Sequence, residues 1–375
     1  MKIIIAPDKF KNSLTGMEFC NAVEAGVLSE IPDAEILKLP LADGGDGTIE
    51  IVNYYLEGKT EKLTVNNPFF EPVEASYLFS DSSKTAFIEM AEASGYKLLK
   101  QEELDCKNAT TFGTGELILN AINNGAKTII LGVGGSATND CGIGMATALG
   151  FRFLDENKKE VKPIGANLEK IEAIDCSNVN PKLKEVDIKV AVDVSNPLYG
   201  ENGAAKIYAK QKGASNEDID MLDKGLESFA TIIESTFKVN PQTVKGAGAA
   251  GGMGIASKVF LKGELKPGVE LIKELAGFEE KIREADWIIT GEGCMDSQTL
   301  SGKTIQGVLS SAKAKHIKVA AFCGDIQMNE KEIKGLGIDY SDKVINYSKN
   351  NKDAMLQAKY YVSEMAKAFA KTFEK

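Results

Sequence analysis

A chain of 375 residues with 43% hydrophobic side chains can bury a sizeable core, and its length suggests two domains of ordinary size. Its net charge of −10, with no basic stripe carrying interleaved aromatics, argues against a broad nucleic-acid surface, because phosphate backbones require clustered Lys and Arg. The 36 glycines and only 7% aromatics suit an α/β enzyme with many tight strand-to-helix turns, not a disordered or fibrous chain.

In chain order, residues 2–6 form a β-branched apolar run that predicts a buried parallel strand. Thr15, with Glu18 three residues later, predicts a capping box opening a helix that runs to about residue 29. Pro32-Asp33 breaks that helix, and 34–40 reads as the next strand, completing a βαβ start. Residues 60–66 and 72–80 alternate apolar and polar side chains around Asn67-Pro68, the pattern of a hairpin. A strand at 85–90, a helix at 115–124 stopped by Gly125, and a strand at 128–131 follow. A small-residue helix at 142–149, a strand at 188–194 and a longer helix at about 216–235 come next.

Toward the C-terminus the βα rhythm returns. Strands are expected at 287–290, 318–323 and 342–347, with helices at about 303–313 and 352–373. The two ends together predict an open sheet of about five parallel strands with helices on both faces, built from residues 1–60 and 267–375. Residues 61–266 read as an inserted mixed α/β domain, with Gly/Pro punctuation at 263–268. Two chain crossings imply a hinged cleft, a favoured place for ligands.

The six cysteines form no Cys-x-x-Cys pair, which argues against a zinc ribbon or redox motif and fits a reducing cytosol. The apolar start at 1–6 is interrupted by Pro7-Asp8-Lys9, and no apolar run approaches the length of a membrane span. A cytoplasmic protein with no membrane or nucleic-acid partner is expected. The single histidine, His316, reads as incidental on the polar end of a helix, so a general base here is expected to be a carboxylate.

Five loops after predicted strands could carry chemistry. The first, 6–13, offers Asp8, Lys9, Lys11 and Ser13 before a helix. The second, 43–48, places Asp43 and Asp46 among Gly44, Gly45 and Gly47, which suits close backbone approach or a hard cation such as Mg²⁺. The third, 132–140, could form an anion nest with its backbone N–H groups. It also matches G-x-G-x-x-A, with Asp155 about twenty residues on, which motivates a nicotinamide-dependent oxidoreductase as an alternative. A second such match spans 246–251 with no clear strand before it. The fourth loop, 191–197, carries Asp193 and Asn196, and the fifth, 291–304, carries Cys294, Asp296 and Lys303. Gly302-Lys303-Thr304 imitates the tail of a P-loop, but Ser297 stands where its first Gly is required. Carboxylates, lysines and anion-binding glycines, without a Cys/His pair or a G-x-S-x-G, suit phosphoryl transfer better than acyl transfer.

Taken together, the chain resembles the bacterial-type glycerate kinase family along essentially its whole length. The resemblance is carried by APDKFKNSLT at 6–15, ADGGDGT at 42–48, IEMAEASG at 88–95, TTFGTGELI at 110–118 and GGSATND at 134–140. DVSNPLYG at 193–200, GAGAAGGMG at 246–254 and ITGEGCMDSQTLSGK at 289–303 complete it. It implies a flavodoxin-like doubly wound parallel sheet split by an inserted mixed α/β domain. It implies ATP- and Mg²⁺-dependent phosphorylation of D-glycerate, usually to 2-phosphoglycerate, with the 3-phosphate left open. The family usually has Arg where Cys294 stands and Gly where Cys141 stands; Cys294 cannot clamp an anion bidentately as Arg does.

On this reading Asp193 is expected to accept the proton of the substrate hydroxyl, with Lys11 and Asp8 as further catalytic groups. Ser13, Asp43, Gly44, Gly45, Asp46, Asn196 and Lys303 are expected to bind substrate. Gly134, Gly135, Ser136, Asn139, Asp140, Gly248, Gly251 and Gly252 are expected around the nucleotide, and Asp296 and Asp46 at the metal. A ligand sensor on the same scaffold is a third reading, favoured only by Cys294, and a homodimer stays open.

Overall fold

The computed structural model describes residues 1–44, 48–296 and 304–373. The chain divides into two compact units, Met1–Tyr55 with Val269–Lys375, and Leu56–Gly268.

The unit built from the chain ends holds a five-stranded, all-parallel sheet. Its order is Glu35–Lys38, Lys2–Ile5, Trp287–Thr290, Lys318–Cys323 and Tyr340–Lys343. Counted along the chain within this unit, the order is 2-1-3-4-5, the doubly wound pattern in which ligands collect beyond the carboxyl ends of the strands. Ile3, Ile4 and Ile5 are wholly buried, as a strand covered on both faces requires.

Thr15 and Glu18 exchange hydrogen bonds as a capping box and open the helix Gly16–Glu30. That helix packs on the helix Ala358–Ala370. A Cβ at Gly26 would lie 2.3 Å from the Ser363 carbonyl oxygen, so only glycine permits the approach. The expected closing helix at 352–373 is interrupted at Gln357, giving Asn351–Leu356 and Ala358–Ala370. The strand expected at 342–347 occupies Tyr340–Lys343 instead, and a single tight turn covers Val344–Asn346.

The other unit holds a six-stranded mixed sheet in the order Glu264–Lys266, Asp187–Ala191, Thr128–Gly132, Thr85–Glu89, Pro72–Ser80 and Lys59–Asn66. The first four are parallel, and the last two add the expected hairpin in antiparallel register. Its hydrophobic cluster has Phe153 stacked edge-on against Phe229 and Phe260. Among the described residues no helix is long and apolar enough to cross a membrane.

Candidate active site

In the unit of the chain ends, adjacent parallel strands deliver their following loops side by side. The Leu41 N–H donates to the Pro7 carbonyl at 2.9 Å, and the Asp8 N–H donates to Gly291 at 2.8 Å. Three loops, after Lys2–Ile5, Glu35–Lys38 and Trp287–Thr290, are therefore laced together at the carboxyl edge of the sheet. Gly291 is forced by packing, since a Cβ there would lie 1.9 Å from the Phe322 carbonyl oxygen.

Asp8 is the chemically distinctive group of this edge. Burial raises its pKa above the ordinary carboxylate value, and the nearby charge of Asp43 adds to the effect. The Thr304 hydroxyl donates to it at 2.6 Å and the Lys9 N–H at 2.7 Å, both opposing the rise. A cavity of about 320 Å³ opens beside it, lined by Asp8, Lys9, Lys11, Asn12, Ala42 and Glu50 among others. Lys11 is exposed, and among the described residues no carboxylate pairs with its ammonium. Lys11 also borders a second cavity of about 460 Å³, which Phe10, Cys294, Val344, Ile345 and Met355 make more apolar. Ser13 donates its hydroxyl to the Met355 carbonyl at 2.8 Å, fixing the loop to the C-terminal region.

Asp43 and Gly44 belong to this edge, Gly44 with φ 92°. Asp296 follows the two-residue strand Cys294–Met295. Cys294 is exposed, and partial burial followed by the charge of Asp325 raises its thiol pKa, so it offers no charge to an anion. Gly45, Asp46 and Lys303, together with Ser297 and Gly302, lie outside the described residues.

No group of three or more His, Cys, Asp or Glu side chains suited to a metal occurs among the described residues. Mg²⁺ needs less than that. It is held by one or two carboxylates, with phosphate oxygens and water completing its shell. Asp8 and Asp43, close enough for one to raise the other's pKa, fit that donor set.

In the Leu56–Gly268 unit three loops converge. The loop at 133–142 follows Thr128–Gly132, and the loop at 192–197 follows the adjacent parallel strand Asp187–Ala191. The Cys141 N–H donates to the Gly251 carbonyl at 2.9 Å, and the Gly248 N–H donates to Asn196 at 3.0 Å, which ties in 246–252. Asp193 is exposed, and its Oδ1 accepts the Gly268 N–H at 2.8 Å.

Gly134 and Gly135 are exposed, and Gly135 is left-handed at φ 72°. Among the described residues the N–H groups of Gly134, Gly135 and Ser136 donate to no protein acceptor. Three consecutive N–H groups of this kind are the donor set that an anion nest uses.

Several expected ligand contacts are instead engaged within the protein. Asp140 is wholly buried and accepts the Thr111 N–H and hydroxyl, both at 2.8 Å, and the N–H groups of Gly142 and Gly144 at 3.1 and 3.2 Å. Burial outweighs these bonds and raises its pKa. Asn196 gives its amide N–H to Asn202 and accepts from the Tyr208 hydroxyl, so its side chain holds its own loop.

Gly251 and Gly252 are buried against residues 138–141, and the Gly248 N–H is taken by Asn196. These three glycines pack the loop rather than present it. Asn139 is also wholly buried, and its amide has no hydrogen-bond partner among the described residues.

The nicotinamide alternative loses its structural context. Asp155 accepts the N–H groups of Asn157 and Lys159 in a closed turn, so it is not free for a ribose. The helix after the glycine-rich loop is only Ile143–Ala148 and begins six residues after Ala137, not directly on the fingerprint.

Three further residues, for which the sequence implies no role, take places in these loops. Thr304 and Thr111 fix the two carboxylates above. Lys212 is buried and donates to Ser136 Oγ at 2.6 Å and to the Thr138 carbonyl at 2.8 Å. It sits between Gln211 and Gly213, where no motif or periodicity marks a lysine as buried.

The sequence model of the glycerate kinase family matches residues 3–374. A glycerate kinase of Halalkalibacterium halodurans is 41% identical over 98% of this chain and 97% of its own length. A glycerate 2-kinase of Escherichia coli is 44% identical over 90% of this chain and 89% of its own. The crystal structure of a candidate glycerate kinase 2 from Salmonella typhimurium LT2 is similar with a TM-score of 0.87 at 38% identity, covering 100% of this chain and 98% of that one.

Proposed function

The chain belongs to the glycerate kinase family, and from that premise we propose that it phosphorylates D-glycerate with ATP and Mg²⁺ by direct in-line transfer. The carrying observation is the row of N–H groups at Gly134, Gly135 and Ser136, unpartnered among the described residues. Phosphoryl transfer depends mostly on positioning and on stabilising charge spread over phosphate oxygens, and fixed N–H donors do both. The name of the E. coli relative supports transfer to the 2-hydroxyl. Free cysteines at all six positions suit work in a reducing cytoplasm.

In this reading the phosphate oxygens of ATP rest on Gly134, Gly135 and Ser136. Asp193 takes the proton of the glycerate hydroxyl. Lys11, an exposed cation, neutralises the substrate carboxylate or the transferring phosphate. Asp8 and Asp43 hold Mg²⁺, with Asp46 and Asp296 as the further carboxylates expected from the sequence. When bound, Mg²⁺ would neutralise charge on the phosphate oxygens.

The test is ADP release on addition of D-glycerate to the folded protein with ATP and Mg²⁺. Release is expected, and NMR of the product is expected to show the 2-phosphate. No release from well-folded protein overturns the reading.

A further inference from the structure

Three charged side chains are buried among the described residues: Asp140, Lys212 and Lys273. Lys273 is answered by Glu270 and Glu279 at 2.8 and 3.4 Å. Asp140 is answered by four donors. Lys212 has no carboxylate within ion-pairing distance among the described residues; its two partners, a hydroxyl and a carbonyl, are neutral. A desolvated ammonium left in this state is costly to the fold, and an apolar side chain of the same length would avoid the cost.

Both partners belong to one loop. The Thr138 carbonyl is drawn inward, and Ser136 Oγ accepts from the ammonium, so the Ser136 hydroxyl proton remains available to donate. The same loop turns the N–H groups of Gly134, Gly135 and Ser136 away from any protein acceptor among the described residues. A second observation lies beside it: Thr138 Oγ1 and the Asn139 amide are buried without partners among the described residues. The loop thus combines unused donors with a buried positive charge that pairs with no carboxylate among the described residues and is bonded to the Ser136 hydroxyl and the Thr138 carbonyl.

We propose that Lys212 is a positioning residue for phosphate, fixing the loop at 134–138 and supplying the positive charge that makes its N–H groups an anion seat. This rests on the reading of the chain as an ATP-dependent kinase. Lys212 touches no phosphate itself in this scheme. It acts through Ser136 and through the field it places on the loop, where a buried charge is weakly screened.

The test uses the full chain and ADP as probe, with binding followed by calorimetry at low salt. Lys212→Met is expected to keep the wild-type circular dichroism and to lose about tenfold or more in ADP affinity, as the loss of a charge-assisted contact implies. KM for ATP should rise by a similar factor, while KM for D-glycerate moves less than about twofold, a split that general loosening of the fold would not give. A folded Lys212→Met protein with ADP affinity and KM for ATP within about twofold of wild type overturns the proposal. Should that variant not fold, Ser136→Ala carries the test, with about a threefold or larger loss of ADP affinity expected and an unchanged affinity overturning it. Wild-type protein that neither binds ADP nor releases it on D-glycerate overturns the kinase reading itself, which separates the two failures.

Discussion

Replacing Lys212 by Met also measures what the buried ammonium costs the fold. Burial pulls the pKa of Lys212 down from 10.5 to about 8, and Cys106 and Asp140, the facing titratable groups, only partly oppose this. The gap between 10.5 and 8, at about 1.36 kcal/mol per pH unit, is about 3 kcal/mol. The folded chain sheds the proton near pH 8, whereas the unfolded chain keeps it until about 10.5. Within that window the unfolded state binds more protons, so stability rises with pH, and below it the full cost is present. Met has similar length and no charge. The stability of wild type minus that of the variant should therefore climb by about 3 kcal/mol between pH 7 and 10.5, whatever its value at pH 7. The subtraction cancels titrations common to both proteins. Urea unfolding followed by far-UV circular dichroism and by fluorescence separates the units, because the only tryptophan, Trp287, lies in the unit of the chain ends. The dichroism change without a fluorescence counterpart reports the Leu56–Gly268 unit. A difference curve flat to within about 0.5 kcal/mol refutes the desolvated ammonium.

Four further substitutions bear on the site. Asp140→Ala strands four donors, on Thr111, Gly142 and Gly144, and should cost about 3–5 kcal/mol in urea unfolding; less than about 1 kcal/mol contradicts a buried, bonded carboxylate. Asp8→Asn should lower kcat about 100-fold or more yet raise the melting temperature at pH 7 in chelator. The folded state disfavours the charge on Asp8, so the gain should shrink as pH falls toward the unfolded carboxylate value of 3.8; a gain that grows on acidification refutes this. Gly251→Ala puts a Cβ 2.3 Å from the Thr138 carbonyl oxygen at φ 72° and should cost about 2–4 kcal/mol. Gly134→Ala, with nothing within 4 Å of its Cβ, should stay within about 0.5 kcal/mol of wild type. The opposite ranking refutes the division between packing and presenting glycines.

That division marks where the sequence stops being legible. Periodicity and caps located the elements because they act over a few residues: Thr15 with Glu18 specifies a helix start, and the 60–66 and 72–80 alternation specifies a hairpin. Loop chemistry depends on register between distant strands. Lys2 pairs with Glu35 in parallel, so the loops carrying Asp8 and Asp43 emerge together, which no local pattern states. The glycine-rich motifs at 134–135 and 248–252 look alike as strings, yet one leaves N–H groups outward and the other fills space against 138–141. Asp155 matched a fingerprint by spacing alone, and the turn it closes shows why spacing is weak. Cys141 sits at φ 49°, a conformation glycine adopts without strain, which gives a physical reason for the Gly that the family resemblance implies at that position.

The electrostatics of the 134–144 segment explain how a chain of net charge −10 could still seat an anion. Asp140 and Lys212 are both buried at this segment, and they do not pair with each other. Asp140 draws the N–H groups of Thr111, Gly142 and Gly144 inward. Lys212 draws in the Thr138 carbonyl and the Ser136 oxygen. What each charge removes from the surface is a group of opposite polarity, and the N–H groups of Gly134, Gly135 and Ser136 remain outside both sets. Had the two charges bonded to one another, neither would organise the backbone, and the loop would owe its shape to glycine alone. Keeping them apart makes each charge a template for part of the loop, and the anion seat proposed there rests on local, fixed donors and not on the net charge of the chain.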